Sequence, residues 1–231
     1  MKKLTIILGL VLASTIVFGQ KRMTQTAINY LRNGKLDKAM EAINTAIEHE
    51  KTMNDAKTWF YRGGIYVEIG ITDKEEYKSL AEDPLMESYK SYKKAMEYDE
   101  DGEYSKDIKQ NMQYIAQQFY NDAANAYNDR NYVDAAQNFM TSYKVYEAVG
   151  INDTTSLLNY ATSSQLAGNS EAAMQTYEKL MDMGYEDAAL YESLANIYRE
   201  EGDFEKAEEI LQEGREKYPE SYPILLAEIN L

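Results

Sequence analysis

An acidic stretch at residues 99–103, DEDGE, contains the residue types that could hold a calcium ion. Asp99, Asp101 and Glu103 alternate as the oxygen ligands of a calcium loop do. In an EF-hand loop, however, the glycine stands at the sixth position and a bidentate glutamate at the twelfth. Here Gly102 is fourth and the twelfth residue is Gln110. The pattern therefore predicts a turn between two helices and no metal site.

Other residue types that carry catalysis are scarce in this chain. It has one histidine, His49, and no cysteine among 231 residues. We expect His49 to be a solvent-facing residue near the end of a helix, because no Ser/His/Asp arrangement with a base partner is evident. Neither a Gly-rich phosphate loop nor an HExxH motif occurs. The sequence therefore predicts a protein that is not an enzyme, with no catalytic residues, no cofactor and no metal.

The charge balance narrows the choice of partner. The chain carries 39 Asp and Glu against 24 Lys and Arg, which gives a formal net charge of −15. A surface of this sign repels phosphate backbones, so we expect no nucleic-acid partner. Carboxylates spread over amphipathic segments are typical of solvated helix faces.

The first residues have the layout of a secretory signal. Lys2 and Lys3 precede an uncharged apolar run from Leu4 to Phe18, and Gly19 offers a small residue for cleavage. The run is about 15 residues long, shorter than the ~20 that cross a bilayer comfortably. We therefore expect a signal peptide at residues 1–19, an exported protein that is periplasmic or secreted, and no stable membrane insertion after cleavage. The alternative is a membrane anchor formed by an uncleaved segment at residues 4–18.

A repeat of 34 residues organises the C-terminal half of the chain. At this spacing Ala195 follows Ala161, Gly202 follows Gly168, and Ala207 follows Ala173. Each copy needs two helices, since apolar residues recur at helical spacing on both sides of the glycine. Glycine tolerates the positive φ of a helix end, and the aspartate after Gly202 can cap the next helix.

This pattern resembles the tetratricopeptide repeat (TPR) family. The copy that begins at Tyr191 matches nearly every position of the motif, whereas the copy around residues 103–149 has Arg130 where the glycine is usual. The resemblance implies an all-α fold, a right-handed α-solenoid of about five repeats with the first helix of a sixth. We place the repeat domain at residues 20–231, with repeats at about 20–53, 56–101 (with an insertion at 71–83), 103–149, 154–187 and 188–221, and the start of a sixth at 222–231.

Two stretches depart from the regular repeat. A single apolar stripe continues from Tyr104 to Ala123, which predicts one long helix over about residues 103–129. The chain ends in apolar residues, Ile229 and Leu231, on a helix without a partner. Solenoids usually finish with a polar cap, so we expect this sequence to be a fragment of a longer protein rather than one with an apolar capping helix.

In TPR proteins the first helices of the repeats line a concave groove that takes a peptide or a partner's helix. The resemblance carries this role onto one set of residues here: Phe60, Tyr61, Gly64, Tyr120, Asn121, Tyr127, Asn128, Asn159, Thr162 and Asn196. Aromatic rings give contact area at low entropic cost, and amides can pair with a peptide backbone. For Tyr61 and Tyr127, packing between neighbouring helices is an equally good interpretation.

The resemblance implies a non-enzymatic exported scaffold that binds a protein or peptide in the cell envelope. The carboxylate clamp known from one TPR subclass is not expected, because Gln117, Thr155 and Ala189 stand at the corresponding positions. The alternative is a solute- or glycan-binding protein that stacks sugars on the aromatic groove around Trp59, Phe60, Tyr61 and Tyr120. The partner's identity and the oligomeric state stay open.

Overall fold

Helices account for all the regular structure of residues 23–231, the part of the chain that the computed structural model describes. In chain order they are α1 (residues 23–32), α2 (Leu36–Ile47), α3 (Ala56–Ile71), α4 (Glu75–Lys78), α5 (Pro84–Tyr98), α6 (Ser105–Asn128), α7 (Tyr132–Ala148), α8 (Thr154–Leu166), α9 (Ser170–Asp182), α10 (Ala188–Glu201), α11 (Phe204–Lys217) and α12 (Tyr222–Ile229). The prediction of an all-α fold is confirmed for these residues. The expected signal peptide at residues 1–19 lies outside them.

Short polar side chains begin most of these helices. A side-chain oxygen of the residue before the helix accepts a hydrogen bond from a backbone N–H of the first turn, which would otherwise lack a partner. Asp83 caps α5 in this way, with Pro84 in the first turn of the helix. The same arrangement occurs at Asp55, Asn131, Asp153, Asn169, Asp187 and Asp203.

The turns inside the helix pairs depend on left-handed backbone. Gly202 ends α10 with φ 84°, as the sequence predicts. Arg130 takes the equivalent position between α6 and α7 and also has a positive φ, 61°. A side chain at such a φ costs roughly 1–2 kcal/mol. The third repeat therefore keeps the left-handed turn although an arginine, and not a glycine, stands there. Arg130 is thus a strained position.

The described helices fall into two compact units, one extending to Ile115 and the other comprising Ala116–Leu231, so that the boundary lies within α6. The long helix predicted over residues 103–129 is confirmed as α6. In the first unit α3 packs closely against α5, and buried apolar residues of α2 and α3, including Ile43, Ile65 and Tyr66, form its core.

The expected insertion at residues 71–83 contains α4. Its Tyr77 is buried, and the Tyr77 hydroxyl donates a hydrogen bond to the Gly34 carbonyl at 3.0 Å. The extra segment is thus held against the turn between α1 and α2, within the first unit.

The second unit consists of successive packed helix pairs. α7 packs on α8, α8 on α9, and α10 on α11, around a core that includes Leu157, Tyr177, Leu194 and Ile197. The last helix, α12, buries Ile224 against this core but leaves Tyr222 and Ile229 exposed at 73% and 80%. Among the described residues, no helix has both the length and the apolar character required to cross a membrane.

Candidate partner-binding surface

Two of the proposed groove residues in the second unit are joined directly. The Asn159 side-chain amide, on α8, donates a hydrogen bond to the Tyr120 hydroxyl, on α6, at 3.0 Å. The Tyr120 ring meets Phe139 edge to face, with centroids 5.2 Å apart and an interplanar angle of 70°. Both Tyr120 and Asn159 are half-buried. Contacts within the protein therefore hold both side chains in place.

Exposed amides follow Tyr120 along α6. Asn121 and Asn128 are exposed, and the Asn121 side-chain oxygen accepts a hydrogen bond from Gln117 Nε2 at 3.0 Å. Tyr127 is half-buried and meets Tyr132 edge to face at 5.4 Å. For Tyr127 the contact resembles packing between neighbouring helices more than a free binding surface.

The remaining candidates of the second unit lie on α8 and α10. The Thr162 hydroxyl donates to the Leu158 carbonyl at 3.1 Å and lies 3.4 Å from the Tyr177 hydroxyl. The Thr162 hydroxyl is therefore engaged in contacts within the protein. Asn196 is half-buried on α10.

In the first unit the proposed groove residues form an aromatic cluster. Phe60 stacks on Tyr104 with centroids 4.7 Å apart and meets Tyr61 edge to face at 5.3 Å. Trp59 donates its indole N–H to the Met53 carbonyl. Phe60 thus has ring contacts with both Tyr61 and Tyr104, and the glycan-binding alternative around these residues stays a prediction.

Tyr104 belongs to this cluster but was missed by the sequence reasoning, which assigned it only to a helical stripe. Burial, with a smaller effect of the neighbouring Glu103 carboxylate, raises the pKa of Tyr104 to about 12. The phenol thus stays protonated at neutral pH. Gly64 is half-buried beside the cluster, 3.7 Å from the Tyr92 hydroxyl when measured from the position of a Cβ.

A partly buried network around the Arg62 side chain, which the sequence did not reveal, lies next to these residues. Arg62 Nη2 forms an ion pair with Glu87 Oε2 at 2.9 Å, and its Nε donates to Asn44 Oδ1 at 3.0 Å. The guanidinium lies 4.4 Å from the centre of the Tyr66 ring. These contacts join α2, α3 and α5. The only available signal was a single arginine, Arg62, between the aromatic and glycine positions of α3.

The chemical candidates have structural roles in the described residues. Asp99 Oδ2 accepts hydrogen bonds from Tyr104 N at 2.9 Å and from the Ser105 hydroxyl at 3.2 Å, so it holds the start of α6. In this part of the chain no group of three or more His, Cys, Asp or Glu side chains could hold a metal ion. His49 is half-buried in the turn after α2, where its Nδ1 accepts a solvent-exposed hydrogen bond from Lys51 N at 3.2 Å.

Comparison with known proteins gives one family match. Residues 188–231, which comprise α10, α11 and α12, match the sequence model of the tetratricopeptide repeat. No curated protein matches the chain in a sequence comparison.

Several solved structures are similar to this chain. The crystal structure of MamA protein is 15% identical, with a TM-score of 0.41, over 86% of this chain and 91% of that one. YrrB, described as a TPR protein with an unusual peptide-binding site, is 15% identical, with a TM-score of 0.41, over 93% and 96%. A tetratricopeptide repeat protein from Parabacteroides merdae ATCC 43184 is 16% identical, with a TM-score of 0.40, over 90% and 84%. The match at residues 188–231 shows a tetratricopeptide repeat over α10, α11 and α12, and the α1–α2, α6–α7 and α8–α9 pairs also have a left-handed residue in their turns.

Proposed function

We propose that the protein is a non-enzymatic, exported scaffold that binds a protein or peptide in the groove lined by the first helices of its repeats. The observation that carries this proposal is the hydrogen bond between Tyr120 and Asn159. It fixes an aromatic ring and an amide from two successive first helices beside each other, and Asn121 stands exposed next to them. A fixed ring with adaptable amides suits the recognition of a peptide.

The proposed ligand is neutral or basic. The described chain has a strong excess of carboxylates, and Gln117, the first of the uncharged clamp positions, is hydrogen-bonded to Asn121. A free C-terminal carboxylate would find no Lys or Arg at that position. The absence of a catalytic role rests on residue chemistry, because the single histidine accepts a backbone hydrogen bond and the chain has no cysteine.

A photocrosslinking experiment tests the proposed surface. A photoreactive amino acid replaces Asn121 in the full-length protein in its native envelope, and a matched control carries it at Val133, which is 64% exposed on α7. We expect a discrete crosslinked partner from position 121 and none from position 133. The adduct should weaken at least about tenfold when Tyr120→Ala is added, since aromatic anchors carry most binding energy at interfaces. Equal adducts from both positions would refute the groove assignment.

Export is a separate part of the proposal and has its own test. Cleavage of residues 1–19 would leave a mature protein that begins at Gln20. Mass spectrometry of the protein isolated from the cell envelope should therefore find that N-terminus in a fraction released without detergent. An intact N-terminus that stays in the membrane fraction would favour the alternative anchor at residues 4–18.

A further inference from the structure

A cavity of about 380 Å³ lies in the second unit, where the turn between α9 and α10 meets the end of α11. Its size falls within the roughly 300–1,000 Å³ that is typical of sites for small molecules. Tyrosine rings make up much of its wall: Tyr185 comes from the turn, Tyr191 from α10 and Tyr218 from the residue after α11. None of these residues belongs to the partner-binding surface proposed above.

The tyrosines leave ring surface available to a ligand. The Tyr191 and Tyr218 centroids are 6.0 Å apart and their planes are inclined by 57°, so the two rings do not stack on each other. Tyr191 is buried and Lys217 lies over its ring, whereas Tyr185 and Tyr218 are half-buried and keep part of their surface exposed. Tyrosine combines an apolar ring face with a polar hydroxyl, which suits a ligand that is itself partly apolar and partly polar.

Lys217 is held in a defined position at the wall. Its ammonium group donates hydrogen bonds to the Tyr191 hydroxyl at 2.7 Å and to Glu213 Oε1 at 2.9 Å, and it lies 5.3 Å from the centre of the Tyr191 ring. An ammonium group has three hydrogens, so one more donor is available for a ligand. The hydrogen bonds to Tyr191 and Glu213 raise the pKa of Lys217, which keeps it charged at neutral pH.

The charge balance of the cavity decides among ligand classes. Glu186 lines the cavity and Glu213 accepts a hydrogen bond from Lys217, so the cavity and its edge carry two carboxylates and one ammonium group. An anionic ligand would meet both carboxylates, and a cationic ligand would meet the fixed Lys217. A neutral ligand whose groups both donate and accept can use Lys217 as donor and Glu186 as acceptor without either conflict.

We propose that this cavity binds one sugar residue of a neutral oligosaccharide. The C–H face of the sugar ring packs on Tyr185 or Tyr218, and its hydroxyl groups bond with Lys217 and Glu186. This site differs from the aromatic groove around Phe60 and Tyr61, which belongs to the first unit. The inference stands apart from the proposed protein-binding function, because none of the residues that line the cavity is among the proposed groove residues.

Saturation-transfer NMR with maltotetraose, cellotetraose and chitotetraose as separate probes tests the site in the purified protein. We expect transfer to at least one of the three sugars. Tyr218→Ala and Lys217→Met should each weaken that binding about tenfold, because each removes one of the two kinds of contact. Tyr222→Ala provides a matched control, since Tyr222 is exposed on α12 and is not among the residues that line the cavity.

Thermal melting of each variant separates loss of the site from loss of the fold. If Tyr218→Ala melts early, Tyr185→Ala takes its place as the test of the ring wall. The proposal would be overturned if none of the three sugars showed saturation transfer. It would also be overturned if a sugar still bound with unchanged affinity to both the tyrosine-to-alanine variant and Lys217→Met. Transfer to N-acetyltyrosinamide in place of every sugar would also overturn it, in favour of a peptide side chain.

Discussion

Two neighbouring glycines in α3 allow a controlled test of how the first unit packs. A Cβ added at Gly63 would lie 2.6 Å from Tyr92 Cε1 and 2.8 Å from two further ring atoms, whereas a Cβ at Gly64 would meet only the Tyr92 hydroxyl, at 3.7 Å. The Tyr92 ring is fully buried, so it cannot simply swing into solvent. Gly63→Ala and Gly64→Ala therefore introduce the same methyl group in the same helix with opposite steric consequences.

The expected magnitudes follow from two opposing effects. Replacing a glycine inside a helix by alanine stabilises by roughly 0.5–1 kcal/mol, because less backbone entropy is lost on folding. Overpacking of a buried contact costs roughly 1–3 kcal/mol. At 2.6 Å the contact is severe, so Gly63→Ala should lower the free energy of unfolding by about 1–2 kcal/mol, while Gly64→Ala should raise it by up to about 1 kcal/mol.

Urea unfolding followed by far-UV circular dichroism measures the difference between the two variants at comparable m-values. A third protein, with Gly63→Ala and Tyr92→Leu together, removes the clashing ring. The Tyr92 hydroxyl has no hydrogen-bond partner among the described residues, so its removal leaves no other polar group in that part of the chain without a partner. The double variant should lose less stability than the sum of the single changes. Equal stability of the two alanine variants would refute the packing argument.

Four further substitutions test other features of the fold. Arg130→Gly should stabilise by about 0.5–1 kcal/mol and Gly202→Ala destabilise by about 1–2 kcal/mol in the same urea assay, because both residues have a positive φ; opposite signs would contradict this. The Lys90 hydrogen bond, with Arg62, lowers the pKa of Glu87, so the carboxylate stabilises the fold above its ordinary pKa of about 4.3 and ceases to do so as pH falls through the lowered value. Glu87→Gln should therefore be less stable than the natural protein at pH 7, with a difference that closes on acidification; a constant difference would exclude this cause. Asn159→Ala should cost about 0.5–1.5 kcal/mol of stability, and a neutral result in thermal melting would mean that its bond to Tyr120 is not maintained in solution.

Local signals account for the part of the fold that the sequence predicts well. Gly202 and the Asp83-Pro84 pair act through their own backbone, so their effect on a helix end does not depend on distant residues. The long helix α6 was equally predictable, because one apolar stripe persists through it.

Contacts between distant segments could not be derived in this way. Phe60 was singled out as a groove residue, but its stack on Tyr104 depends on how α3 lies against the start of α6. The ion pair of Arg62 with Glu87 similarly depends on the packing of α3 on α5. Charge alone would place an arginine at the surface, and only the set of partners from two other helices explains why it is buried.

In the candidate site, too, individual residues could be predicted from the sequence, whereas the contacts between them could not. Tyr120 and Asn159 could be named individually from the family pattern, yet the bond between them follows from the placement of α6 beside α8. The cavity at the end of α11 had no sequence signal, because Tyr185 and Tyr218 stand at turn positions rather than on a helical stripe. A pattern of helical spacing cannot detect a site made from two chain reversals.

The turns explain why binding residues can vary in such a chain without loss of the fold. In four helix pairs, the N–H that follows the left-handed residue donates to the carbonyl five residues earlier, at Lys35, Asn131, Asn169 and Asp203, with distances of 3.0, 2.8, 2.8 and 2.9 Å. This backbone bond is made after Arg130 as it is after glycine, so the chain reversal does not require one side chain. The exposed positions of the first helices, such as Asn121, take no part in it. Substitution of Asn121 should therefore alter binding while the unfolding midpoint stays unchanged, which makes the proposed surface separable from the fold by experiment.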